Sequence, residues 1–397
     1  MSSEWPFVEL RELTINLDTR RKPVKEADRK PGPYPYYGAS GIVDYVDGFL
    51  FEGEHLLVAE DGENLRTRQT PIAFMASGKF WVNNHAHIVI GNEKASTRFL
   101  QYALLATDIS SYLTGAVMPK LTQGNLNRIE VPCPPHNIQA QIVSMLGTLD
   151  DRIILLRETN ATLEAIAQTL FKSWFVDFDP VRAKMEGRIP EGMDEATAAL
   201  FPDSFEPSEL GEIPSGWLVS KFEDFIQRLP VGKKFDQKSA EPIGNIPILD
   251  QGRSGIIGYH NESPGVVASL DEPVVVFANH TCYMRLISFN FSAIQNVLPF
   301  KGSGVDTVWA YYATQGRVKH SEYKGHWPDF AIEKSAVPSL ALSCAFRDVM
   351  DPIVRQLRLN ELQVETLSEL RDTLLPRLIS GQLRLPEAEK QATEALA

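Results

Sequence analysis

Basic side chains interleaved with aromatics and amides are the residues of this chain best suited to chemistry, and that chemistry is contact with nucleic acid. Arg20-Arg21-Lys22, Lys25 and Arg29-Lys30 run into Pro33-Tyr34-Pro35-Tyr36-Tyr37, while Arg66 and Arg68 sit in a loop rich in Gly and Asn. Lys120, Gln123, Asn125 and Asn127 follow Met118-Pro119. Later in the chain Lys233, Lys234, Arg253, Arg285, Arg317, Lys319, Lys324 and His326 supply a second set. Arg and Lys hold phosphates or guanine edges, and Asn or Gln pairs with adenine. Any one of these is by default an ordinary surface residue; two sets in matching loops are harder to dismiss.

Signatures of catalysis are weak beside this. Gly78-Lys79 and Gly232-Lys233 have Ala73 and Gln227 where a phosphate loop needs its upstream glycine. Cys133-Pro134-Pro135-His136 lacks the amide of an amino-methyltransferase tetrapeptide, and Glu322-Tyr323-Lys324 has its only upstream Pro-Asp, Pro202-Asp203, far away. His85-Ala86-His87 could aim two imidazoles from one strand face, but zinc needs three or four ligands and none is close, so hydrogen-bonded core histidines are expected. Gly38/Gly41 and Gly252/Gly255 read as turn glycines with positive φ, or as points of close approach to a phosphate. The three cysteines, Cys133, Cys282 and Cys344, form no Cys-x-x-Cys pair and are expected to be buried free thiols.

The net charge of −12 opposes nucleic acid until it is apportioned. Seven acids (Glu191, Asp194, Glu195, Asp203, Glu206, Glu209, Glu212) and no Lys or Arg lie between Glu191 and Ser215, so over half the deficit is local. The stretches 1–136 and 216–345 carry 14 basic against 16 acidic and 12 against 12, a near-neutral balance in which distribution has to decide. With no long apolar run and no basic-then-apolar N-terminus, the chain reads as cytoplasmic, without a membrane partner.

The elements that must position these residues come as a repeat. Trp5 and Leu10 recur as Trp217 and Phe222, Gly38-Ala39-Ser40-Gly41 as Gly252-Arg253-Ser254-Gly255, and Thr162-Leu163 and Thr169-Leu170 as Thr366-Leu367 and Thr373-Leu374. Within the first half, Gly41–Val46, His55–Ala59 and His87–Gly91 have the composition of strands and Arg98–Ser111 that of a helix. Val274–Phe277 and Thr307–Thr314 repeat strand and helix in the second half. Val131-Pro132-Cys133-Pro134-Pro135 should stop regular structure before a long helix from about Asn137 to Phe178, and Pro376 should kink the last turn of a second one from about Ala345 to Ser380.

Apolar residues return along both helices at nearly heptad spacing. Leu149, Ile153, Leu156, Leu163 and Leu170 mark one seam, and Ile353, Leu357, Val364, Leu367 and Leu374 mark the other. Asn160 and Asn360 are the polar breaks, where a buried amide fixes register. Each buried Leu or Ile is worth roughly 1.5–3 kcal/mol, so the seams want partners. The expectation is an antiparallel pair; the alternative is that each stripe packs on its own globular part.

In plan the chain resembles the specificity subunits of Type I restriction-modification systems. The residues that carry the likeness are Thr162 to Pro180, with Phe171-Lys172-Ser173-Trp174-Phe175-Val176-Asp177-Phe178-Asp179-Pro180 at its end, Leu210-Gly211-Glu212-Ile213-Pro214-Ser215-Gly216-Trp217, and Leu370 to Gly381. The resemblance implies an α+β fold, two repeated target-recognition domains separated by two long helices in an antiparallel, pseudo-two-fold coiled coil. It implies domains at 1–136 and 216–344, helices at 137–180 and 345–381, an acidic linker at 181–215 and a tail at 382–397. Each domain would read half of a split asymmetric site on double-stranded DNA. The chain would recruit two methyltransferase subunits and, for restriction, further subunits, with S-adenosylmethionine, ATP and Mg2+ held by those partners and no catalysis here. Two departures stand out: the N-terminus lacks the Gly-Glu-Ile-Pro-Ser-Gly lead, and nothing in the second half matches Pro134-Pro135-His136-Asn137-Ile138-Gln139. A coiled-coil scaffold without DNA binding, or a DNA-modifying enzyme with an unrecognised active site, are the other readings.

Overall fold

A computed structural model describes residues 4–252, 255–321 and 324–396. Arg253, Ser254, Glu322 and Tyr323 lie outside the described residues. The chain divides into two compact units, one made of 1–156 with 363–397 and the other of 157–362. Both divisions fall inside the long helices, His136–Phe175 and Leu340–Ser380. The sequence expectation of contiguous globular domains with helices between them is thus redrawn: each unit owns half of each helix.

In the first unit a four-stranded sheet runs in the order Thr14–Asn16, Ala86–Gly91, His55–Ala59, Ala73–Ala76, every pairing antiparallel. His55–Ala59 is buried at every position, as its unbroken apolar run requires. A second sheet joins the hairpin Pro31–Gly38 and Gly41–Val46 to Lys79–Val82 and Phe51–Glu52. The expected helix is shorter than its apolar pattern, Thr97–Ala106, because Ser96 caps one end and Thr107 leaves helical dihedrals at the other. The proline run is not structureless: Glu130–Pro132 pairs with Phe7–Glu9 before it stops the strand.

The second unit repeats this order with Ile226–Arg228, Val297–Gly302, Val274–Ala278 and Met284–Ile287. A helix at Thr307–Thr314 answers Thr97–Ala106, and Trp327–Ile332 answers Gln123–Arg128. The joint between sheet and long helix is also repeated. The Ser96 amide donates to Gln139 Oε1 (3.1 Å) and the Asp306 amide to Ser343 Oγ (2.9 Å), so each long helix satisfies the cap residue of its neighbour.

Helix pairing is antiparallel within each unit. In the first, Ile142, Leu146, Leu149, Ile153 and Leu156 share a core with Leu367, Leu374, Leu378 and Ile379, so the start of one helix meets the end of the other. Val364 and Leu370 pack at its margin, and Arg371 Nη1 donates to Asp150 Oδ1 (2.9 Å), whose other oxygen accepts from Tyr102 (2.7 Å). In the second, Ala167, Trp174 and Phe175 share a core with Phe346, Met350 and Val354, and Leu170 and Ile353 pack against it. Leu163 and Leu357 are half-buried. The two packing alternatives are not exclusive: those cores also contain Phe99 and Tyr102, and Trp309 and Phe330, from the globular parts.

Asn360 is 2% exposed and donates to Asn160 Oδ1 (2.7 Å), while Asn160 Nδ2 donates to the Leu357 carbonyl (3.1 Å) and Gln356 Nε2 to Asn360 Oδ1 (2.7 Å). Removing one partner orphans the rest. Asn360→Leu alone should cost about 1–3 kcal/mol, whereas Asn160→Leu with Asn360→Leu should recover most of that loss, as melting of the single and double variants will show.

Further expectations change. The stretch 181–215 is folded, not a free linker: helices Asp179–Met185 and Glu195–Ala199 and the hairpin Phe205–Ser208/Gly211–Pro214 bury Val181, Phe201 and Ile213 in the second unit. Its acids mask enough apolar residues to anchor it. The tail 382–397 holds a helix, Leu385–Leu396, with Leu383 and Ala388 buried. Pro376 lies inside the second long helix, which ends at Ser380 as expected. Gly381 then closes it at φ 78°, where a Cβ would sit 2.7 Å from the Trp5 indole nitrogen. All three thiols are free, but Cys344 is exposed and Cys133 and Cys282 only half-buried. Gly41 and Gly255 have positive φ; Gly38 and Gly252 do not.

Candidate nucleic-acid interface

Several sequence candidates of the first unit converge on one carboxylate, Glu60, at the end of strand His55–Ala59. Arg21 Nη1 lies 2.7 Å and Lys120 Nζ 3.3 Å from it. Arg21 is committed there, because the same guanidinium donates to the Ala86 carbonyl (2.7 Å) and the Asp18 carbonyl (3.2 Å). Lys120 stays half in solvent. Its backbone closes a loop by reciprocal bonds with Thr114, 2.7 and 2.8 Å, and Arg66, exposed, donates to the Gly115 carbonyl of that loop (3.0 Å).

Beneath this edge lies a buried ionic staple. His87, 1% exposed, has Nδ1 2.6 Å from Asp18 Oδ2 and Nε2 2.7 Å from the Leu121 carbonyl. Each ring nitrogen faces an acceptor. Asp18 also accepts the Ile88 amide (2.9 Å). Burial pushes the Asp18 carboxyl up, but the His87 bond and charge, the Ile88 amide and Arg21 together hold it below the ordinary range. The staple ties the segments beginning at Asp18 and ending at Leu121, which carry Arg20–Lys22 and Lys120, to the central sheet. His85 caps Asp61 (2.8 Å). Among the described residues no group of three His, Cys, Asp or Glu is placed to hold a metal.

Other candidates of this half are spent or scattered. Arg68, in the left-handed region at φ 50°, donates to the Leu105 and Thr107 carbonyls (3.2 and 2.6 Å) and so closes the end of helix Thr97–Ala106. Burial lowers its pKa ahead of the raising influence of Asp108. Asn125 holds the Tyr112 carbonyl (2.7 Å) and Gln123 holds Asn16 (2.8 Å), though Gln123 remains exposed. Arg20 lies over the Phe51 ring, and Lys22 and Lys30 are exposed along the second sheet. Arg68→Ala should therefore lower stability by about 1–3 kcal/mol, the cost of unpaired carbonyls at a helix end, as thermal melting of the variant will show.

In the second unit Lys233 and Lys234 are exposed beside a groove of about 710 Å³ that also takes in Gln237, Ser239 and Gln295, with Lys233 paired to Glu262. Arg285 lies on the edge strand Met284–Ile287, its Nη1 buried against Gly255 and without a hydrogen-bond partner among the described residues. Lys319 is exposed, and Lys324 pairs with Asp329 (3.2 Å). Sequence reasoning missed Glu60 as the hub and the apolar tip Val117-Met118. Nothing in the local sequence marks Glu60, since its partners come from positions 21 and 120; the tip was signalled only by its two apolar residues next to a proline.

Comparison with known proteins sets this geometry in context. Residues 2–165 match the family described as Type I restriction modification DNA specificity domain. A putative type I restriction enzyme specificity subunit of Haemophilus influenzae is 42% identical over 147 residues, 37% of this chain and 38% of that protein, so this match spans well under half of the relative. The MjaIX specificity subunit of Methanocaldococcus jannaschii is 22% identical across 90% of this chain and 88% of its own length. The crystal structure of a type I restriction-modification S subunit from M. genitalium shares the fold, with a TM-score of 0.53 at 15% identity over 95% of this chain and 96% of that one.

Proposed function

We propose, from the premise that the chain belongs to the specificity subunits of type I restriction-modification systems, that it is the sequence-reading component of a DNA methylation and restriction complex. Its two units read the two halves of a bipartite, asymmetric site on double-stranded DNA. It recruits two methyltransferase subunits and restriction subunits in the cytoplasm and performs no catalysis itself. S-adenosylmethionine, ATP and Mg2+ belong to those partners.

The observation that carries this reading is that one strand order appears twice with unlike loops upon it. Between its helix pair the first unit presents Val117, Met118 and Lys120, and the second presents Arg317, Lys319, His320 and Lys324. A common scaffold with different edges suits two readers of different sequence. Exposed cations would position the duplex through phosphates, and the few amide and guanidinium groups free to face it would discriminate bases.

The test uses the chain assembled with its methyltransferase subunits. Arg66→Ala with Lys120→Ala should weaken binding at one half-site and reduce the salt slope of log K by roughly one per lost phosphate contact, with methylation of the other half-site sequence unchanged. Equal relaxation at both half-sites would overturn the modular reading.

A further inference from the structure

We propose that Val117 and Met118 form a wedge that enters the DNA duplex and unstacks one base step in the half-site read by the first unit; this rests on the DNA-reading role above. Val117 is 94% exposed and Met118 62%, side by side at the tip of a loop. Folding gains nothing from apolar groups left in water. The tip is also built to stay where it is. Thr114 and Lys120 close the loop by two backbone bonds, and the Gly62 amide donates to the carbonyl of Pro119, itself buried (3.2 Å). At Gly115, φ is 88°, and a Cβ would stand 2.1 Å from the Met118 carbonyl oxygen, so the turn admits only glycine. Arg66 clamps the Gly115 carbonyl from outside.

The chemistry selects the occupant. Cations stand on both flanks of the apolar tip, Arg66 on the Gly115 side and Lys120 at the base, half-exposed at 43% and 50%. Phosphate-binding charge around a rigid apolar point is the arrangement by which proteins pry apart adjacent bases: the charges hold the backbone while a Met- or Val-sized group fills the opened step. Easily unstacked pyrimidine–purine steps would be preferred there, giving selectivity without a hydrogen bond to a base edge. Among the described residues, the corresponding loop of the second unit is polar at Lys319 and His320.

The experiment takes the chain with its methyltransferase subunits and duplexes carrying 2-aminopurine at each position of both half-sites in turn. Apart from the base that the methyltransferase subunits flip out for methylation in each half-site, bound wild-type complex should raise the fluorescence at one further step of the half-site read by the first unit. Val117→Gly with Met118→Gly should abolish that rise and weaken binding about tenfold, and a duplex with an abasic gap at the same step should bring the variant back to within about twofold of wild type, since the gap removes the unstacking cost. Met118→Phe, which keeps an apolar tip, should retain the rise. The proposal is overturned if wild type binds and methylates both half-sites with no rise beyond that of the flipped target bases, if the variant loses as much on gapped as on intact duplex, or if it fails to assemble with the methyltransferase subunits, which would make the tip a protein contact. A wild-type complex that binds neither half-site would instead overturn the DNA-reading role.

Discussion

Asp18→Ala is expected to cost the first unit about 3–5 kcal/mol, the range for breaking a buried ion pair by removing one partner. Asp18 and His87 are 8% and 1% exposed, and the substitution takes away the close partner of Nδ1, leaving Glu60 Oε2 at 3.8 Å, and leaves the Ile88 amide with no side-chain acceptor. Hydrogen exchange localises the damage: amides of Thr14–Asn16 and Ala86–Gly91 should lose protection while those of Val274–Ala278 and Val297–Gly302 keep theirs. Uniform loss across both units would contradict the independence of the two cores. The pH dependence has a definite sign. Asp18 is depressed in the folded chain, so its contribution is present above its unfolded value near 3.9 and is lost as pH falls through the lower folded value. Wild-type stability should fall in acid below about pH 4, and Asp18→Asn should flatten that fall.

Adding seven residues to each long helix, after Leu156 in the first and after Leu362 in the second, should move methylation to sites whose spacer is longer by about three base pairs. The insertion adds about 10 Å of helix, and B-DNA rises about 3.4 Å per pair. Both helices pass from one compact unit into the other at those points, and a whole heptad returns every seam residue to its face. The half-site sequences should stay the same, because no loop of either unit is touched. Mapping methylated adenines in cells that carry the lengthened chain reads the result. An unchanged spacer in an assembled complex would show that helix length does not set the distance.

The long helices and the repeat were legible because periodicity is a local signal written over many residues: Leu149, Ile153, Leu156, Leu367 and Leu374 declare their face by spacing alone, and all are buried. The seam positions of Asn160 and Asn360 were legible for the same reason, as two amides break otherwise apolar seams, whereas their mutual hydrogen bond comes from the register of the folded pair. Charged residues were not sorted so well. Arg21 and Arg68 look no different in sequence from Arg66, yet the first two are consumed by Glu60 and by carbonyls at 105 and 107, partners brought in only by the sheet and the helix end. The acidic stretch misled for a related reason: charge counts say nothing of Phe201 and Ile213, whose burial decides whether a segment is held down.

The first unit is assembled from both extremities of the chain. The Glu4 amide donates to the Ser380 carbonyl (3.0 Å) and Arg384 pairs with Glu4 (2.7 Å), while Leu367, Leu374, Leu378 and Ile379 complete a core begun at Leu10. The second unit is one uninterrupted segment, 157–362. On the ribosome, then, the half that is translated later closes earlier, and the opening residues wait with an unfinished core until the final helix emerges. Termination between residue 362 and Leu374 would release a molecule whose damage lies in residues 1–156.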